Sequence, residues 1–202
     1  MVVRFGATER LLHWTFAIPF LVLLGTGAML ALPDLEVLLT HRDLISFVHV
    51  WSGVAMVVLP LAVALIGNRK AVWRDLREID YWDRLDIRWL RLSFLPWFLR
   101  SEPLPPAGRF NAGQKLNSIL IGALVVGLVL TGSLMWRAEL FPIWMGEVAS
   151  LLHDVLTLLT LPLVAGHVYL AVANPGTRRA LSGMVSGRVD AGWAREHHGR
   201  AG

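Results

Sequence analysis

Cysteine is absent from this sequence. That absence excludes a disulfide, a thiolate metal ligand and an iron–sulfur cluster held by this chain, so any such cluster belongs to a partner. Also missing are a glycine-rich phosphate loop, the signature of a hydrolytic triad and any repeat of the length that builds solenoids. Charge is scarce where the apolar runs are longest. Basic residues are scarce in two places: of the 19 Lys and Arg, only Arg42 and Arg137 fall between runs one and two or between runs three and four.

What is present is apolar surface in excess. Hydrophobic residues make up 55% of the 202 positions and the mean hydropathy is +0.55, too high for an ordinary soluble fold. Four runs, His13 to Leu32, Leu44 to Ile66, Gln114 to Trp136 and Val148 to Ala173, each reach the ~20 residues needed to cross a hydrocarbon core of ~30 Å. The expected fold is therefore an all-α, integral membrane four-helix bundle forming a single domain over residues 1–202. Residues 67–112 form a cytoplasmic amphipathic loop, and 174–202 a cytoplasmic tail. The first run exceeds a signal-peptide core and is expected to remain in the mature protein. Because the remaining basic residues flank the runs on one side, both termini are expected in the cytoplasm. This asymmetry and the lipid headgroups it meets account for the net charge of +4, with no call for nucleic acid.

Histidines give the apolar runs their chemistry. Ionisable side chains inside a spanning helix are costly and mark functional positions, and neutral imidazole is a common axial ligand of haem iron. His153 and His167 are fourteen residues apart, close to four full turns. One helix therefore presents both on nearly the same face, about 21 Å apart along its axis. The alternating direction of the runs places His13 and His167 at the inner level and His49 and His153 at the outer level. The four sort into two bis-histidine pairs, His49 with His153 and His13 with His167, each drawn from two helices. The competing reading is four histidines that hydrogen-bond neighbouring helices.

Small residues and polar ends complete the pattern. Gly25-Thr26-Gly27 gives a smooth patch for a close neighbour, and Gly53 lies one turn from His49 on its face. His41 reads as a solvated loop histidine. The short outside loop Pro33 to Asp43, with Asp34, Glu36 and Asp43, has room for contact with a partner but not for a domain. From Ala71 to Leu92, Trp73, Leu76, Ile79, Trp82, Leu85 and Trp89 recur every three or four residues among charges, as in a helix lying in the headgroup plane. Pro96 and the prolines 103, 105 and 106 end that helical structure. At the mouth of the third run stand Asn111, Gln114 and Lys115. They read either as an N-cap with a snorkelling lysine or as donors to a quinone carbonyl. Asn174-Pro175-Gly176 stops the last span. The pair His197-His198 near the terminus makes a poor metal site.

The stretches Glu9-Arg10-Leu11-Leu12-His13-Trp14, the surroundings of His49, Phe110-Asn111-Ala112-Gly113-Gln114-Lys115, the His153/His167 spacing, and the tail from Gly183-Met184-Val185 through Trp193 to His198 together span nearly the whole chain. In them the sequence resembles the di-haem cytochrome b, or gamma, subunit of respiratory formate dehydrogenases. The resemblance implies two haem b groups held by His13, His49, His153 and His167. It implies a menaquinone or ubiquinone site beside the inner haem, lined by Asn111 with Gln114 and Lys115. Its partners would be an iron–sulfur beta subunit on the outer side and a molybdenum or tungsten catalytic alpha subunit. This chain would carry electrons to quinone and would not itself act on formate. Alternatives are a di-haem cytochrome serving another molybdoenzyme or a hydrogenase, and a haem-free membrane anchor or assembly protein.

Overall fold

The computed structural model describes residues 1–32, 41–96, 99 and 102–199. Most of the acidic loop expected from Pro33, residues 33–40, lies outside the described residues. So do positions 97, 98, 100 and 101 of the proline-rich stretch.

The chain is all-α in its main elements: α1 Ala7–Ala31, α2 Arg42–Ile66, α3 Arg69–Asp80, α4 Arg84–Ser93, α5 Ala112–Trp136, α6 Ile143–Val168, α7 Leu181–Val185 and α8 Ala191–His197. Two short strands, β1 Val2–Val3 and β2 Arg188–Val189, pair antiparallel, with Val2 opposite Val189. Among the described residues, four helices are long and apolar enough to cross a membrane: α1, α2, α5, and α6 with its extension to Ala173. Their outward side chains, Leu61, Leu130, Leu151 and Leu158 among them, are exposed in the isolated chain. In water that surface would drive aggregation; against lipid tails it needs no cover.

The described residues divide into two compact units, one drawn from Ala7–Arg69 and Leu124–Leu161, the other from Met1–Gly6, Lys70–Ala123 and Pro162–Gly202. In the first, α1 packs along α2. The hairpin closes tightly at its far end. A Cβ on Gly67 would lie 2.6 Å from the Val63 carbonyl oxygen and 2.7 Å from the Thr8 side chain, so only glycine fits. Next to it the Asn68 N–H donates to Thr8 Oγ1 at 2.9 Å. In the same unit α5 meets α6 closely, since a Cβ on Gly127 would stand 2.8 Å from Leu156 Cδ1. Hydroxyls in these helices turn back on their own turns: Thr26, Thr131 and Thr160 each donate to the carbonyl four residues earlier, at 2.7, 2.8 and 2.7 Å. This is the ordinary way to hide a hydroxyl where water is absent.

The second unit is the polar one. α4 starts on a reciprocal capping box in which Asp83 and Asp86 accept each other's backbone N–H. α5 starts on another, made by Asn111 and Gln114 at 2.8 and 3.0 Å. After Val168 the last span runs on as a π turn, Tyr169–Ala173, closed by Asn174 N–H to Tyr169 O at 2.9 Å. Asn174 Oδ1 then accepts from the N–H groups of Gly176 and Thr177, turning the chain where the Asn-Pro-Gly sequence is expected to stop it. The tail that follows is folded onto the N-terminus. Val189 and Trp193 are buried with Phe5, and Phe5 stacks on Phe110 at 6.2 Å. Arg109 pairs with Asp75 through two bonds of 2.6 and 3.2 Å and donates to the Arg4 carbonyl, and Arg4 returns a bond to the Arg109 carbonyl at 2.9 Å. Burial and the nearby Arg109 charge lower the Arg4 guanidinium to about 10.

Candidate functional site

α2 carries His49 and α6 carries His153, and the first unit brings the two rings face to edge with centroids 6.3 Å apart and planes at 67°. Two imidazoles bound through nitrogen to opposite sides of one metal, at about 2.0–2.1 Å, have ring centres roughly 6.3 Å apart. Each ring is backed in the same way. Thr26 Oγ1 on α1 lies 2.9 Å from His49 Nδ1, and Thr131 Oγ1 on α5 lies 2.9 Å from His153 Nδ1. The glycine after each threonine lets the imidazole settle against the helix. A Cβ on Gly27 would stand 3.3 Å from His49 Cε1, and one on Gly132 the same 3.3 Å from His153 Cε1. Gly25 faces open space, and a Cβ on Gly53 would make only an ordinary contact at 3.9 Å with Leu23.

His13 stands in the second turn of α1, edge-on to Trp14 at 5.2 Å, and His167 in the last turn of α6. They belong to different units. Since α6 is one helix from Ile143 to Val168, the fourteen-residue step from His153 to His167 is helical throughout, or about 21 Å of axis.

Asn111, Gln114 and Lys115 fall together at the start of α5, in the second unit. The capping box engages the side-chain oxygens of Asn111 and Gln114, which leaves each amide NH₂ as a donor on a half-buried surface. Lys115 is buried, and its ammonium donates to the Tyr81 carbonyl at 2.8 Å and to Asp86 Oδ2 at 2.9 Å, with the Trp82 ring 5.9 Å away. Trp89 packs on Gly113, whose Cβ would stand 3.1 Å from the indole. Trp82 and Trp89 thus turn towards α5, while Trp73 and Leu76 of α3 stay exposed.

His197 stacks on Trp193 at 4.7 Å, and His198 Nδ1 donates to the Gly108 carbonyl at 2.8 Å. No cluster of three or more metal-ligating side chains occurs among the described residues, so nothing extends this pair into a metal centre. Burial, and then the Arg4 charge, depress the His198 imidazole to about 4.

Sequence reasoning missed Thr26 and Thr131 as partners of the histidines, and Asp86 as the partner of Lys115. A signal for the first existed: a Thr-Gly pair precedes each histidine, by 23 residues for Thr26 and 22 for Thr131. None existed for the second, because Asp86 is 29 residues away in a different helix.

The profile of a family described as prokaryotic cytochrome b561 matches residues 4–187. The chain is 27% identical over 210 residues to the formate dehydrogenase cytochrome b556 subunit of Haemophilus influenzae, covering 98% of this chain and 81% of that protein. It is 27% identical over 207 residues to the cytochrome b556(Fdn) subunit of the nitrate-inducible formate dehydrogenase of Escherichia coli, covering 99% and 89%. The E. coli cytochrome b556(fdo) subunit gives 27% over 205 residues, covering 98% and 90%.

Proposed function

We propose, because the chain belongs to the prokaryotic cytochrome b561 family, that this multi-pass cytochrome b of the bacterial inner membrane serves a formate dehydrogenase-like complex. It anchors that complex and passes electrons from an outer-side iron–sulfur subunit, through two b-type haems, to menaquinone or ubiquinone near the cytoplasmic face. The observation that carries the reading is the His49/His153 pair. Its ring separation of 6.3 Å would suit two imidazoles that hold one iron between them, and imidazole is a common ligand of haem iron. When bound, haem supplies reversible one-electron chemistry.

The chain's own residues do the rest. His49 and His153 would hold the outer iron from α2 and α6. His13 and His167 would hold the inner one, a pairing that rests on the alternating direction of the spans in the sequence. The amide NH₂ groups of Asn111 and Gln114 would donate to a quinone carbonyl at the start of α5, where the half-buried capping box keeps them in place. Asp86 holds the Lys115 ammonium beside them. With both termini in the cytoplasm, electrons move inward and protons are consumed inside. Against a membrane potential, each such charge stores about 2.3 kcal/mol per 100 mV.

A dithionite-reduced minus oxidised spectrum with a pyridine haemochrome assay on the purified chain tests the reading. Two b-type haems per polypeptide are expected. A colourless protein would return the histidines to helix packing, and a single haem would remove the second pair. Co-purification of the chain with its native subunits tests the partner: an iron–sulfur protein and a molybdenum or tungsten protein active on formate are expected.

A further inference from the structure

We infer that Thr26 and Thr131 are positioning residues which fix the tautomer of His49 and His153, so that the two ring nitrogens facing a shared metal are the unprotonated ones. The inference rests on the haem reading above and concerns how this chain prepares its ligands.

A threonine hydroxyl has one proton to give and lone pairs to receive. Thr26 spends its proton on the Val22 carbonyl at 2.7 Å, and Thr131 spends its own on the Gly127 carbonyl at 2.8 Å. Each oxygen still lies 2.9 Å from a histidine Nδ1. With its proton committed to the helix, the hydroxyl can only accept, so Nδ1 must carry the hydrogen and donate it. A neutral imidazole has one N–H, so Nε2 keeps its lone pair free for a metal. Placing the proton on Nε2 would set two lone pairs against each other at Nδ1 and lose the bond.

The device is built twice. A Thr-Gly pair on the first helix of a hairpin receives a histidine from the second helix, once as Thr26-Gly27 with His49 and once as Thr131-Gly132 with His153. The hydrogen bonds match at 2.9 Å and the glycine approaches match at 3.3 Å. A hydroxyl that merely filled helix surface would have no reason to meet the same ring atom in both halves. The partner of a ligating histidine's second nitrogen orients the ring and raises its basicity. A more basic ligand favours the oxidised iron, so the two threonines together hold the outer haem at a lower potential than bare imidazoles would.

The test uses the full chain loaded with haem. Thr26→Val and Thr131→Val keep the branched shape and remove the hydroxyl, while Thr26→Ser and Thr131→Ser restore it. Potentiometric titration of the haem band and the g-values of the ferric low-spin signal are read, with haem content measured in parallel. Each valine variant is expected to raise the midpoint potential of one haem and alter its g-values, the double variant to move it further in the same direction, and each serine variant to return to the wild-type values. Loss of one haem in a valine variant that serine restores also supports the inference. Unchanged potential and g-values in both valine variants with two haems bound would overturn it. Valine and serine variants that lose the haem alike would also overturn it, because shape and not the hydrogen bond would be responsible. His49→Ala separates this from the reading beneath it: two haems retained in that variant would discard the ligand assignment itself.

Discussion

Removing Asp86 from beneath Lys115 tests the second unit more severely than any surface change. The two side chains are 3% and 5% exposed and 2.9 Å apart, so neither charge is screened by water. Asp86→Ala leaves the ammonium with the Tyr81 carbonyl and the Trp82 face as its remaining neighbours. Breaking a buried pair from one side costs about 3–5 kcal/mol, because the surviving charge has lost its counterion. For a chain of this size, each kcal/mol moves the thermal midpoint by roughly 2–4 °C, so Asp86→Ala should lower it by on the order of 10 °C. Replacing both residues with apolar ones of similar volume, Asp86→Leu with Lys115→Met, removes the stranded charge. That double variant should recover most of the loss, since apolar replacements of buried pairs are often neutral or better. The assay is thermal unfolding of the detergent-solubilised chain, with the reduced haem spectrum as a control for folding around the histidines. A shift under about 2 °C for Asp86→Ala, or a double variant no better than the single, would refute the view of Lys115 as a buried, paired cation.

Other outcomes follow from individual contacts. His153→Ala should give an inserted protein with one haem in place of two and no electron entry from the outer side; an unchanged two-haem spectrum would sink the pairing. Gly27→Val and Gly132→Val should each lower haem content, because their Cβ positions lie 3.3 Å from the His49 and His153 rings and a larger side chain would displace them. Asn111→Asp preserves the acceptor that caps α5 and removes the NH₂ donor, so haem content should stay normal while quinone reduction slows; an unaltered rate would take Asn111 out of the site. His198, depressed to about 4 from an ordinary 6.5, stays neutral in the folded tail while the unfolded chain takes up a proton. Stability is therefore full above pH 6.5 and falls by on the order of 2–3 kcal/mol as pH drops towards 4, a loss that His198→Gln should largely abolish in thermal unfolding scans across that range.

How far the sequence could be read depended on whether the determining interaction was local. The four spans were legible because a helix in lipid must be apolar along its whole length, which is a property of composition. Their starts were not: α1 begins at Ala7 where the apolar run suggests His13, and α6 at Ile143 where it suggests Val148. Hydropathy reports the thickness of hydrocarbon, whereas the helix continues for as long as its N–H groups find carbonyls, about a turn or more beyond. The approach of His49 to His153 was legible because helical rise and alternating span direction set the depth of each ring before any tertiary contact is known. The threonines behind them were not, because a hydroxyl in a spanning helix ordinarily serves its own i−4 carbonyl, and both do. Only the spatial fact that a ring nitrogen also reaches each oxygen gives them a second role. The tail marks the limit of this kind of reading. Strands of two residues carry no periodicity, and the pairing of Val2 with Val189 joins opposite ends of the chain. Yet Val189 is completely buried and His198 is nearly so, because the N-terminal strand, the Gly108 carbonyl and Trp193 close over a segment whose composition alone suggests a mobile basic terminus. A terminal segment is mobile when its backbone and apolar groups find no partners; here both do, and the tail is folded.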